Sequence, residues 1–236
     1  MPQGQQLPLP FAHQPGFDPA DFVADASNAE ALTWLGRTLD WPDHRLLIWG
    51  DPGCGKTHAL HVWAAASGAT IIRGAALCAP PDLPPATALA IDDADQAPAE
   101  TDMLHLLNRA RDEAIPVLLS SRLPPARWPI QLPDLASRLR AITAVRIGPA
   151  EEPLLRVLLA RLVSDRQLTV DKTAQDWLLR HLPRSPAALR DAVAHLDRVA
   201  WRTGRRISRA MAIAEFPAAA PDEHLETTDV FPLSTG

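Results

Sequence analysis

Eight consecutive residues, Gly50-Asp-Pro-Gly-Cys-Gly-Lys-Thr57, carry the chemistry most easily read in this chain. A glycine-rich run closing on lysine and a hydroxyl residue is suited to gripping phosphate. Gly53 and Gly55 allow the backbone to turn its N–H groups inward around phosphate oxygens. Lys56 brings a cation to the terminal phosphates, and the Thr57 hydroxyl is a ligand for Mg²⁺. Gly50, Pro52, Gly53, Cys54, Gly55, Lys56 and Thr57 are thus the expected cradle of ATP or ADP, with the Cys54 side chain pointing away from phosphate. Further on, Leu89-Ala-Ile-Asp-Asp93 is an apolar run closing on two aspartates. Asp92 is expected to hold Mg²⁺ together with Thr57. Asp93 is expected to orient or deprotonate the attacking water. A third apolar run ends in Ser120 and Ser121. Either hydroxyl suits a γ-phosphate or its attacking water, and Ser121 is assigned that catalytic contact.

These groups meet only if strands and helices alternate around them. Residues 45–50, 69–74, 87–93, 115–121 and 143–148 read as short, apolar, glycine- or turn-bounded strands. Residues 27–39 have helical spacing, with Ser27 or Asn28 as cap, and helices are expected over 57–67 and 101–114. Strands alternating with helices imply a parallel sheet covered on both faces. After Gly148 the strand signals stop. Helices are expected over 151–167, 171–182 and 185–204, where Pro186 suits a first turn, and a short one over 206–216. The expected organisation is a flexible leader (1–17), an α/β nucleotide-binding domain (18–149), a small helical lid (150–216) and a disordered acidic tail (217–236).

The chain has 236 residues, 47 % of them hydrophobic, which is ample for a buried core. Two cysteines make no paired framework, which fits a reducing, cytoplasmic setting. There is no apolar run of membrane-spanning length and no signal-peptide pattern, so no membrane partner is expected. The formal charge of −5 is unevenly spread, since residues 151–209 carry 12 basic and 7 acidic residues. That section reads as a solvated helix face, with weak or indirect contact to DNA as the alternative.

Strand, phosphate loop, acidic strand end, polar strand end and helical lid follow in the order of AAA+ ATPases. Asp21–Leu32, "DFVADASNAEAL", resembles the opening box of the DnaA/Hda family, and Leu132–Ala141, "LPDLASRLRA", resembles its arginine-finger segment. The resemblance covers about residues 18–216. It implies a P-loop AAA+ three-layer parallel sheet domain followed by a helical lid, an adenine pocket beginning near Phe22, and Arg138 as a finger acting in trans. No counterpart of the family's DNA-box helix-turn-helix follows, which points to the Hda-type regulatory members. Their leaders dock on the replicative sliding clamp, and Gln6, Leu7, Leu9, Pro10 and Phe11 in "QLPLPF" are similar. The implied function is a regulatory adaptor, bound to ATP or ADP with Mg²⁺. It would dock on the DNA polymerase sliding clamp and promote hydrolysis of DnaA-bound ATP. The alternatives are a stand-alone AAA+ ATPase acting as helicase loader or DNA remodeller, with robust turnover stimulated by single-stranded DNA, and a DNA-binding module using the basic lid; a homo-oligomer is an open alternative under each. Two departures from the pattern weaken intrinsic hydrolysis: Ala187 stands near the family's lid arginine, with Arg184 and Arg190 as neighbours, and Arg122 follows Ser121.

Overall fold

The computed structural model describes residues 22–77 and 87–217. The leader with Gln6, Leu7, Leu9, Pro10 and Phe11, the acidic tail beyond residue 217 and Cys78 lie outside the described residues. In chain order the elements are α1 (Ala29–Leu35), β1 (Arg45–Trp49), α2 (Lys56–Ser67), β2 (Thr70–Arg73), β3 (Leu89–Asp92), α3 (Glu100–Asp112), β4 (Val117–Ser121), α4 (Pro133–Ala141), β5 (Thr143–Arg146), α5 (Glu152–Asp165), α6 (Lys172–His181), α7 (Pro186–Thr203) and α8 (Arg209–Glu215). The chain divides into two compact units between Leu154 and Leu155.

The first unit is built on a five-stranded sheet in the order β2-β3-β4-β1-β5, with every neighbouring pair parallel. Successive side chains of a strand face opposite ways, and both faces are buried. Leu47, Leu89, Ile91, Val117 and Leu119 pack with Met103, Leu106 and Leu107 of α3 and with Leu135 and Leu139 of α4. Leu46, Ile48, Ala90, Leu118 and Val145 pack with Ala31 of α1 and with Ala59, Leu60 and Trp63 of α2. The result is three layers. Each fully buried Leu or Ile contributes about 1.5–3 kcal/mol, so the apolar strands that the sequence pattern predicts also supply most of the cohesion.

Every predicted strand is present, and the helix beginning at Lys56 is where its pattern places it. Two features differ from expectation. Helix α4 occupies a stretch read only as a finger segment. Its first residue, Pro133, has a φ already suited to a helix, and Leu135 and Leu139, four apart, are both buried. The first helix is shorter than predicted, ending at Leu35, with a 3-10 turn over Thr38–Asp40. Asn28 does not cap α1 through its side chain. It is 5 % exposed and turned backward, accepting a hydrogen bond from Asp25 N at 2.9 Å and donating to the Val23 carbonyl at 2.9 Å.

The second unit is helical. Leu158, Leu159, Trp177, Leu178, Leu189, Val193 and Leu196 are buried in it. Ser185 caps α7 by accepting from Ala188 N at 3.2 Å, and Ser208 caps α8 by accepting from Met211 N at 3.3 Å. An isolated parallel bridge joins Val170 to Ile207. Among the described residues no helix is long and apolar enough to cross a membrane.

Candidate functional site

Strand β1 delivers the chain to the loop 50–55, and α2 begins immediately at Lys56. Two glycines are needed there for conformation, since Gly53 has φ +79° and Gly55 φ +112°, a region costly for residues with a Cβ. Gly50 is needed for space: a Cβ at this position would run into the Ile147 carbonyl. Lys56 is buried at 6 % exposure. Its Nζ donates to the carbonyls of Gly50 at 2.8 Å and Asp51 at 3.0 Å, so the ammonium is held inside the curl of the loop. The loop N–H groups, the start of α2 and this cation are all sources of positive potential, the arrangement a polyphosphate requires.

The acidic partner comes from β3. The Thr57 hydroxyl lies 3.1 Å from both Oδ1 and Oδ2 of Asp92. Ser120 on β4 donates to Asp92 Oδ1 at 2.6 Å and accepts from Asp93 N at 2.9 Å. Strand β4 lies between β3 and β1, and Ser120 pairs with Ile48 two residues before Gly50. Ser120 also has the parity of Leu118, which faces α2. Ser121 has the opposite parity, is equally buried, and donates to the Leu123 carbonyl at 2.7 Å. Of the two serines, Ser120 is therefore the one joined to Asp92 and Asp93, whereas Ser121 closes the following turn. The sequence expectation favoured Ser121; the alternation of side chains across β4 brings its neighbour to the aspartates instead.

Asp93 sits just past β3 in the left-handed region, with φ +52° and ψ +51°. Gly74 makes room for it, because a Cβ there would strike the Asp93 carbonyl. Burial, followed by the like charges of Asp92 and Asp95, pushes the Asp93 carboxyl above its ordinary range, opposed by Arg122 and Lys56. A carboxylate with raised proton affinity is a better base than an ordinary aspartate. Arg122 N also donates to Asp95 Oδ2 at 3.2 Å. The arginine following Ser121 thus belongs to this acidic corner.

Phe22 reaches the loop from the segment that Asn28 clamps. Its ring meets His58 edge-on at 5.2 Å, and it lies 3.6 Å from where a Cβ on Gly55 would be. The clamp is extended by Gly148 N donating to the Ser27 carbonyl at 2.8 Å and by Ser27 Oγ donating to Asp25 at 2.9 Å. Cys54 packs with Phe22 against the α1/α2 side of the core, and burial raises its thiol pKa despite the Lys56 charge. Asn28, Gly74 and Ser120 are the residues that support the site most directly beyond the motif residues. Ser120 is one of the two hydroxyls the sequence offers, Asn28 lies in the box-like segment 21–32 just before a helix, and Gly74 has only its place at a strand end.

Thr57 and Asp92 supply a hydroxyl and carboxylate oxygens, the hard donor set that suits Mg²⁺. Among the described residues no group of three or more His, Cys, Asp or Glu forms a metal site by itself. A divalent ion held by Thr57 and Asp92 would therefore complete its shell with water and phosphate oxygens.

Arg138 lies elsewhere. On α4, its Nη2 donates to Asp134 Oδ2 at 3.4 Å, and its Nε is 3.3 Å from Asp134 Oδ1 without hydrogen-bond alignment. Arg45 opens β1, and its guanidinium is acidified by burial first, against the pull of Asp43, with Arg138 and Arg111 adding like-charge repulsion. Helix α4 closes at Ala141, two residues before Thr143, which pairs with Leu46 near the start of β1, so Arg138 in its last turn belongs to the end of the sheet where β1 begins, and the phosphate loop follows the other end. The five residues of β1 between them span about 13 Å. Ala187 occupies the second position of α7 and is partly buried, with Arg184 exposed just before the helix.

No family model matches the chain, and no curated protein is significantly similar to it. Solved structures are similar. Domain III of the Thermotoga maritima replication initiation protein DnaA superposes with a TM-score of 0.73 at 17 % identity, over 86 % of this chain and 97 % of that one. AMPPCP-bound DnaA from Aquifex aeolicus gives 0.62 at 15 % identity, over 78 % and 65 %. The Thermotoga maritima RuvB Holliday junction branch migration motor gives 0.60 at 16 % identity, over 80 % and 65 %. The chain thus spans about two thirds of the Aquifex DnaA and RuvB chains. These likenesses establish the fold, a parallel-sheet AAA+ core followed by a helical region.

Proposed function

We propose that this chain is an AAA+ ATPase domain that binds ATP or ADP with Mg²⁺ through residues 18–149, carries residues 150–216 as its helical lid, and serves DNA replication or remodelling in the cytoplasm. The observation that carries this reading is the joined set Lys56, Thr57, Asp92, Ser120 and Asp93. Lys56 and the loop N–H groups bind the phosphates, while Thr57 and Asp92 bind the metal. Phe22 lies against the loop where an adenine would pack. Magnesium neutralises charge on the phosphates when bound. Asp93 takes the proton of the attacking water, and Ser120 fixes both aspartates relative to each other.

These joined groups favour intrinsic turnover, set against Ala187 near the lid-arginine position and Arg122 after Ser121, and so support a stand-alone ATPase acting on DNA or a DNA-bound assembly. Arg138 supports a role in trans. It belongs to the opposite end of β1 from its own phosphate loop, which supports service to a triphosphate on another subunit. Its ion pair with Asp134 is four residues apart on one helix and worth only about 0.3–0.5 kcal/mol, little to give up on meeting a phosphate. The regulatory adaptor reading names that other subunit as DnaA and uses Gln6, Leu7, Leu9, Pro10 and Phe11 to dock on the sliding clamp. It rests on the similarity of the leader and of the segment around Arg138.

One assay separates the two. ATP turnover is measured for the chain alone, then with single-stranded DNA, then with DnaA-ATP and DNA-loaded clamp. A stand-alone ATPase turns over alone or with DNA, and Asp93→Asn abolishes it. An adaptor stimulates hydrolysis by DnaA only with clamp, and Arg138→Ala abolishes that stimulation with its own nucleotide binding intact. Absence of turnover in every arm would refute both.

A further inference from the structure

Trp201 is 72 % exposed near the end of α7, a helix whose Leu189, Val193, Leu196 and Val199 are buried. It does not stand alone. Arg198, Trp201, Arg202 and Arg205 follow at intervals of three, four and seven, which places the first three on one helix face and the fourth just beyond it. Arg206 and Arg209 continue the basic run, and from Arg198 to Ala214 there is no Asp or Glu. All five arginines are exposed. Among the described residues, Arg198, Arg202, Arg205 and Arg209 make no ion pair, and Arg206 has only a 3.7 Å approach to Asp171. The helix ends at Gly204 in the left-handed conformation, where a Cβ would meet nothing within 4 Å, so the backbone there is open to approach.

Cations at a helix C-terminus are favoured by its dipole, which accounts for Arg202. It does not account for an indole left in water among five guanidiniums, three of which lie past the helix end. An exposed indole on the same helix face as Arg198 and Arg202, with Arg205 just past the helix end, matches a ligand with a flat apolar ring and a negative backbone. We propose that the end of α7, through Trp201, Arg198, Arg202 and Arg205, is a binding site for single-stranded nucleic acid, with a base stacked on the indole and phosphates on the arginines. A duplex would satisfy the arginines but hide its base faces from the indole. The site lies wholly within the helical unit and does not depend on the nucleotide reading of the phosphate loop.

The test uses the full chain and fluorescein-labelled 20-mers: oligo-dT, oligo-U and a mixed-sequence duplex, followed by anisotropy from 50 to 200 mM salt. Oligo-dT or oligo-U should bind more tightly than the duplex, and the stronger of the two identifies the natural source. Trp201→Ala should weaken single-strand binding about 5- to 100-fold, and Trp201→Phe should largely restore it. Arg198→Ala with Arg202→Ala and Arg205→Ala should flatten the salt slope by about 2. Trp201 is exposed, so thermal unfolding of its variants should match the parent. Unchanged single-strand affinity in Trp201→Ala, equal or tighter duplex binding, or no binding at 50 mM salt would each overturn the proposal. Failure to bind coupled to a salt-dependent change in tryptophan emission that is lost in Trp201→Phe would assign the patch to the chain's own acidic C-terminal segment, and would overturn it too.

Discussion

Asp93 concentrates the costs of this site. It has a positive φ, which a non-glycine residue adopts reluctantly, and its partly buried carboxyl feels the like charges of Asp92 and Asp95. Its pKa in the folded chain lies above the ordinary aspartate value. The folded state therefore holds that proton more tightly than the unfolded state, and ionising Asp93 costs stability as pH rises through the raised pKa. Asp93→Asn should abolish hydrolysis while leaving nucleotide affinity intact. It should also raise the melting temperature at pH 7–8, and the gain should vanish near pH 3, where the carboxyl is protonated in both states. Calorimetry across that range reads the effect directly. Ser120→Ala should destabilise by about 1–3 kcal/mol, because it leaves the Asp93 N–H without its hydroxyl partner. It should lower turnover more than Ser121→Ala does, since Ser121 donates to the Leu123 carbonyl. Equal losses in the two variants would show that the parity of β4 does not select the working hydroxyl.

At the scale of elements, the site is a strand-end construction. Strands β1, β3 and β4 are parallel neighbours in the sheet, so the phosphate loop, Asp92 and Ser120 arrive at one edge together. The segment 22–28 is fastened beside them by Asn28. Asn28→Ala removes two hydrogen bonds from a residue that is 5 % exposed. It should cost about 1–3 kcal/mol and weaken nucleotide binding through Phe22, as read by denaturant unfolding and titration. Gly74→Ala should displace the Asp93 carbonyl, at about 1–3 kcal/mol, and lower turnover without touching the phosphate loop. Much of this was legible beforehand. The glycines, Lys56, Thr57 and the paired aspartates form a local pattern, and the short apolar runs read as strands because period and length leave few alternatives. What was not legible depends on register between distant segments. Choosing Ser120 over Ser121 requires knowing which face of β4 looks toward α2. The roles of Asn28 and Gly74 require knowing which backbone atoms come within reach of them. Helix α4 was missed although Pro133, Leu135 and Leu139 carried a start signal and a buried spacing.

At the scale of the whole molecule, the first unit holds its phosphate loop and Arg138 toward opposite ends of its sheet. The phosphate loop follows the end of β1, and Arg138, in the last turn of α4 just before Thr143 pairs with Leu46, belongs to the end where β1 begins. On the proposed reading, the unit accepts a nucleotide at one end of the sheet and offers a guanidinium at the other, while the second unit exposes five arginines from Arg198 to Arg209. All of this presupposes that loop 50–57 closes on a nucleotide. Isothermal titration of the intact chain with Mg²⁺-ATP and Mg²⁺-ADP, alongside Lys56→Ala, tests that most directly. The account predicts one site per chain for the unaltered protein and a loss of affinity of about 100-fold or more on removing the ammonium. No heat of binding from either nucleotide up to 1 mM, or equal affinity in Lys56→Ala, would contradict it.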